Sequence, residues 1–321
     1  MSAAAEDDIG PGEWIAEQVR PADDEGTLAR IVGDAAVVGL GVSTHGARQL
    51  TTLAASMLEV LVVDLGFRTL AVEATPLGGA RVDHHLHTGE GDARDALVEL
   101  HPHHRTEEMA DVVRWLRSWN DRHPADTVRF AGVDLEAGEP VSGDIIAHVE
   151  PRLAGNIVDL HDRSGSRIAY WGGFSHTAVG DARVVSYPGR RAVHRNAGSH
   201  LRRHFGAGYV SIGLTFGQGT ADAGPGPVAV PPPADDFTEA VLHAVSGAPD
   251  PYLVGWRPGA YDGVLPPAVR AWLDAPAKLR LVGPWYDPAH DAEVHMTGGS
   301  LAEWFDGLAH VRRVTPVAGL G

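Results

Sequence analysis

Ala35-Ala36-Val37-Val38-Gly39-Leu40-Gly41, followed at once by Val42-Ser43-Thr44-His45-Gly46, sets the pattern that the rest of the chain repeats. A short apolar run closing on glycine reads as a strand buried on both faces. The polar, glycine-flanked turn after it presents Ser43, Thr44 and His45 just ahead of a helical pattern over Leu50–Leu65. Glycines there allow a tight turn and close approach of a ligand. The following helix start favours negative charge near it, and Ser43 or Thr44 has the chemistry to cap it.

The same strand-then-helix order repeats outward from this point. Arg68–Ala74, Val128–Leu135, Arg167–Trp171 and Tyr209–Phe216 read as further strands. Ala93–Leu100, Thr106–Trp119, Asp144–His161 and Ala197–Phe205 read as helices. Met109, Val112, Val113 and Leu116 make one apolar stripe on the second of these. Alternation of this kind predicts an α/β fold, a mainly parallel sheet flanked by helices on both faces. Ligands in such sheets gather at the carboxyl ends of the strands, which points to the loops after Gly41, Glu73, Asp134 and Trp171. Later come strand-like Tyr252–Trp256, Leu279–Val282 and Leu308–Val314, with short helices at Leu265–Leu273 and Leu301–Phe305. No composition break divides residues 1–321, so one domain is expected. It carries a flexible tail over residues 1–12 and a stiff Gly/Pro-rich loop over residues 217–236.

Composition narrows the chemistry. The chain has 321 residues, no Cys, 18 His and a formal net charge of -16. Lys278 is the sole lysine among 26 basic residues. Without cysteine there are no disulfides, thiolate metal sites or thiol nucleophiles. The acidic balance disfavours nucleic acid and anionic membranes as partners. No apolar run approaches the roughly 18 residues of a membrane span, and the first residues lack the pattern of a secretion signal. A cytoplasmic protein acting on a small molecule, as a homo- or hetero-oligomer or alone, is the expectation.

Chemistry-bearing residues cluster at the strand ends. His45 follows the first strand; a hydrogen-bonded structural histidine is the plain alternative. Its segment is not a G-x-S-x-G elbow, because His45 stands where the second glycine belongs, so Ser43 is a poor nucleophile. Glu73 ends the second strand, where a carboxylate is costly to bury unless paired, and burial would suit it to acid–base work. Trp171-Gly172-Gly173-Phe174-Ser175-His176 places His176 past the fourth strand. His45, Glu73 and His176 make a plausible acid–base set, or equally a metal facial triad. The clusters His84-His85-Leu86-His87 and His101-Pro102-His103-His104 read as solvated surface joining helices, and their spacing is not that of a zincin.

These segments, taken in order, resemble the erythromycin esterase-like family. The motifs are GLGVSTHGARQL (Gly39–Leu50), LGFRTLAVEA (Leu65–Ala74), HTGEGDARDAL (His87–Leu97), RTEEMADVVRWLRSWN (Arg105–Asn120), VRFAGVDLE (Val128–Glu136), RIAYWGGFSH (Arg167–His176), GSHLRRHFGAGYVSIGLTFGQG (Gly198–Gly219) and FDGLAHVRRVTPV (Phe305–Val317). The resemblance implies a Tiki/ChaN-like α/β fold and, in founding members, macrolide lactone hydrolysis by water that a histidine activates. His45 matches that histidine. Glu73, Asp134 and His176 match the family's acid after the second strand, Asp after the third and last histidine of the fourth-strand motif. The departures are specific. Val42 replaces a usual Glu, Arg48 and Gln49 replace His and Glu, and Gly173-Phe174 replaces a His-Asn pair. The family's helical insertion between the third and fourth strands is longer, which implies a shortened helical cover here.

The sequence therefore predicts a divergent enzyme of bacterial specialised metabolism. His45, Glu73 and His176 would be catalytic, without cofactor or metal. Ser43, Arg48, His104 and Asp134 would contact a small substrate, its anionic group meeting the Arg48 fork. Hydrolysis, elimination and ring closure all fit proton transfer. The alternatives are an inactive member that binds a small molecule or supports a partner, and a metal-dependent hydrolase using His45, Glu73, His176 and His104.

Overall fold

The computed structural model describes residues 9–135, 145–224, 226–283 and 286–320. Its centre is a run of six parallel strands within a nine-stranded sheet. In spatial order they are Gly307–Val314, Tyr209–Asp222, Val37–Val42, Arg167–Gly173, Phe67–Val72 and Arg129–Gly132. Antiparallel Tyr252–Gly255 and then Arg20–Pro21 extend one edge, and Pro227–Val230 folds back on Tyr209–Asp222. All six residues of Val37–Val42 are buried, as expected for a strand covered on both faces. The helix Arg48–Val63 turns Leu50, Leu53, Ala54, Met57, Leu58, Leu61 and Val62 inward at helical spacing.

The mainly parallel α/β architecture agrees with the sequence reading; several boundaries differ. Pro11–Gln18 is a helix opened by Pro11, with Trp14 and Ile15 buried, so the tail does not extend through residue 12. Residues 1–8 lie outside the described residues. Gly217–Asp222 is not loop but the continuation of the Tyr209 strand. Its glycines answer to packing: a Cβ at Gly217 would meet His243 Nδ1 at 2.0 Å, and one at Gly219 would meet the Val314 carbonyl oxygen at 2.1 Å. The third strand is shorter than expected, Arg129–Gly132. The fourth runs two residues further, to Gly173. The expected helix start at Asp144 lies outside the described residues, and the helix is seen over Ile145–Ser164. A second, four-stranded antiparallel sheet was not anticipated: Leu279–Arg280, His295–Thr297, Arg183–Tyr187 and Arg190–His194. Among the described residues no helix is long and apolar enough to cross a membrane.

A strap over residues 315–320 crosses the carboxyl edge of the sheet. Thr315 O accepts from Arg48 N, and Gly46 O accepts from Val317 N. Further on, Glu107 N donates to Ala318 O and Leu320 N to Arg105 O.

Candidate active site

Register places four loops side by side. Val42 pairs with Gly173, Val72 with Trp171, and Val72 with Gly132, so four neighbouring strands end almost level. The loops leaving them carry His45, His176, Glu73 and Asp134, in that spatial order.

Glu73 is the fixed point. It is buried, and its Oε1 accepts from the Gly173 N–H at 3.0 Å and the Tyr170 hydroxyl at 3.2 Å. Its Oε2 lies 3.4 Å from His45 Nε2. Gly172 makes this possible, because a Cβ there would stand 2.3 Å from Glu73 Oε1. Burial works to raise the Glu73 pKa. The charge of His176, the hydrogen bond from His45 and the nearby His45 and His104 outweigh it and hold the carboxyl at about 2. Nε2 faces an oxygen that only accepts, and the neutral tautomer with its proton there leaves the Nδ1 lone pair free. That assigns to His45 the tautomer of an oriented general base.

His176 sits on the short helix Phe174–Thr177 and faces two anions. Its Nδ1 lies 2.9 Å from Glu150 Oε1. Burial works against its charge, but Glu150 first and Glu73 second raise its pKa to about 9. Glu150 is fully buried; it also pairs with Arg183 and accepts from the Ala197 N–H at 2.7 Å. Burial pushes its own pKa up, yet the His176 charge and hydrogen bond, Arg183 and Ala197 bring it below the ordinary value. Near neutral pH the site thus holds a carboxylate beside the base and an imidazolium across from it. A Cβ added at Gly173 would lie 3.7 Å from His45 Nε2 and 3.5 Å from His176 Cδ2, so both rings flank one small space.

Sequence reasoning missed Glu150. It occupies the first place of an i, i+3, i+4, i+7 pattern with Leu153, Ala154 and Ile157, all buried. An acid in a core stripe was the available signal.

The remaining predicted residues divide. Asp134 Oδ2 is 3.1 Å from His101 Nε2 and raises that imidazole's pKa, chiefly through the hydrogen bond. His104 is buried against His45 and His103, not solvated as the sequence suggested. Loss of water, then repulsion from neighbouring imidazoles, pushes its pKa well below the ordinary value, and His103 falls to about 2 for the same reasons in the same order. By contrast His84 and His87 lie on the helix Pro76–Thr88, next to Glu90 and Asp83. Ser43 is buried without a hydrogen-bond partner for its Oγ and caps no helix; the Arg48 helix starts after Ala47 with no side-chain cap. Arg48 turns to Glu108, Nε to Oε1 at 2.9 Å.

Of the predicted site residues only His45 lines the cavity that opens there; Ser43, Arg48, Glu73, His104, Asp134 and His176 stand behind its wall or away from it. That cavity, of about 290 Å³, is lined by Thr44, His45, His103, Arg105, Asp222 and Val317 among others. Arg105 spends Nε on the Leu100 carbonyl, which leaves both Nη groups uncommitted among the described residues. The arginine at the cavity is therefore Arg105.

Comparisons with known proteins agree with this architecture. The family model "Erythromycin esterase" matches residues 62–156 and 151–314. Erythromycin esterase type II of Escherichia coli is 30% identical over 113 residues, which is 35% of this chain and 26% of that protein. The match therefore spans about a quarter of the curated relative. The fold is shared with a succinoglycan biosynthesis protein (TM-score 0.78, 18% identity, 99% of this chain and 100% of that one). It is shared also with a Bacillus cereus protein (0.76, 17%, 97% and 98%). A mutant of the erythromycin esterase EreC in its open conformation aligns at TM-score 0.65 and 14% identity, over 94% of this chain and 98% of that one. The matched family model covers most of the sequence, and the chain belongs to the erythromycin esterase family.

Proposed function

We propose that the protein is a hydrolase of ester or lactone bonds in a small natural product, working by His/Glu acid–base chemistry. The observation that carries this reading is the convergence of His45, Glu73 and His176 at one row of strand ends, with opposite charges on Glu73 and His176. His45 Nδ1 takes a proton from water as it attacks the carbonyl, and Glu73 stabilises the imidazolium that forms. The His176 imidazolium faces the negative charge that develops on oxygen and supplies a proton to the leaving alkoxide. Val42 removes the acid that the family usually places beside the histidine, and Glu73 takes over its orienting role. An anionic group on the substrate would meet Arg105 at the cavity.

The test is turnover of a panel of macrolides and other lactones and esters, with and without a carboxylate, followed by mass spectrometry for gain of water. Hydrolysis by the wild type and at least a hundredfold loss in a folded His45→Ala variant are expected, in line with roughly 10²–10⁴ for general-base catalysis. Equal turnover by His45→Ala would refute the assignment. Binding of panel members with no turnover by the wild type would favour a small-molecule binding protein.

A further inference from the structure

His45 belongs to a second constellation that the acid–base reading does not use. His45, His103 and His104 each place a ring nitrogen within 4.8 Å of the other two. The rings pack directly: His45 and His103 are stacked at 4.3 Å between centroids, His103 and His104 are 4.3 Å apart, and His45 and His104 meet edge-on at 5.4 Å. Packing three imidazoles this closely needs a reason. Two further observations point to a ligand. His104 is only 2% exposed, yet its Nε2 has no hydrogen-bond partner. Such a buried orphan costs about 1–3 kcal/mol if nothing fills it. And the cavity that His45 and His103 line gives an ion a way in and leaves room for water as a fourth ligand.

We propose that His45, His103 and His104 form a binding site for a divalent transition-metal ion of the zinc type. Imidazole nitrogens bind such ions at about 2.0–2.1 Å, so nitrogens on one tetrahedral ion stand about 3.3 Å apart. Nitrogens now within 4.8 Å of one another must close to that spacing, and the stacked His45 and His103 rings must turn so that both lone pairs meet the ion. The ligand type suits zinc, cobalt, nickel or copper and not magnesium or calcium, which take oxygen. His101 is not among the rings whose nitrogens come together, and its Nε2 turns to Asp134. Glu73, 3.4 Å from His45 Nε2, supplies negative charge beside the ion, and His176 is the opposing cation, itself held between Glu73 and Glu150. The ion takes the His45 lone pair, so filling the site silences the acid–base chemistry proposed above. That last effect alone rests on the functional reading.

The experiment titrates chelator-treated full-length protein with zinc chloride by calorimetry, and with cobalt chloride by visible absorption. Expected are one ion per chain at micromolar affinity or tighter and an intense tetrahedral cobalt band. His103→Asn, at the open edge of the cluster, weakens binding at least tenfold and removes the band. His84→Asn, on the surface helix, changes neither. His104→Asn is read the same way once circular dichroism shows that it folds. Absence of stoichiometric binding, or a His103→Asn protein that binds as tightly as wild type, overturns the proposal. Turnover is read separately: a protein that binds zinc through these histidines but hydrolyses nothing keeps the metal site and loses the catalytic reading.

Discussion

The charge on His176 ties the stability of the fold to pH. Its folded pKa is about 9 against an ordinary 6.5. At roughly 1.4 kcal/mol per pH unit, that rise corresponds to about 3 kcal/mol of preference for the protonated form in the native state. The sign follows from linkage. Below about pH 6.5 both states bind the proton and the stabilisation is fully present. As pH rises toward 9 the unfolded chain loses the proton while the native state keeps it, so stability falls by about 1.4 kcal/mol per unit; above 9 the gain is gone. The perturbation that isolates the effect is His176→Asn, which leaves Glu150 paired with Arg183 and with the Ala197 N–H. Urea unfolding of both proteins at half-unit steps from pH 6 to 10 supplies the two stability curves. The difference between them should shrink by about 3 kcal/mol across that range. Parallel curves between pH 6.5 and 9 would show that His176 is not held charged, and the imidazolium assigned to it would fall.

Other outcomes follow from contacts already described. Gly172→Ala forces a methyl to within 2.3 Å of Glu73 Oε1; a loss of about 1–3 kcal/mol in thermal unfolding and a matching loss of kcat are expected. Glu150→Gln strips the buried Arg183 of its anion and should cost about 3–5 kcal/mol, with the His176 signal in histidine-labelled NMR titrating at lower pH. Arg48→Ala breaks an ion pair with a half-exposed arginine, so stability should change by no more than about 1 kcal/mol and KM not at all. Arg105→Ala should raise KM for carboxylate-bearing substrates and spare neutral ones.

The residues that the sequence singles out and the sheet brings together share one property. His45, Glu73, Asp134 and His176 each come within a few positions of the end of an apolar strand run, and a parallel sheet brings such ends together whatever the helices do. The others depend on packing that crosses the chain. Arg48 holds a motif position that suggests ligand contact, but Glu108, on a helix sixty residues later, decides where its guanidinium goes. His104 looks solvated in its own tetrapeptide but is buried against the His45 ring, while His103 stays exposed and stacks on that ring from outside. Glu150 was masked by the periodicity that correctly marked its helix face as core. Gly217 and Gly219 were misread because glycine marks both flexible loops and crowded strands, and only the neighbour at 2.0–2.1 Å tells them apart.

The strap over residues 315–320 gives the cavity an unusual dependence on the order of assembly. Val317 and Gly319 form part of its wall, and Gln49, beside the first loop, bonds Thr315 across 266 positions of sequence. During synthesis the loops that carry His45, Glu73 and His176 leave the ribosome long before this wall exists. Contacts of such separation form late, because loop closure must be met before they stabilise anything. A nascent or partly opened chain can hold a finished sheet and still lack a cavity. Selectivity can accordingly be retuned along six residues of strap while every strand of the sheet stays as it is.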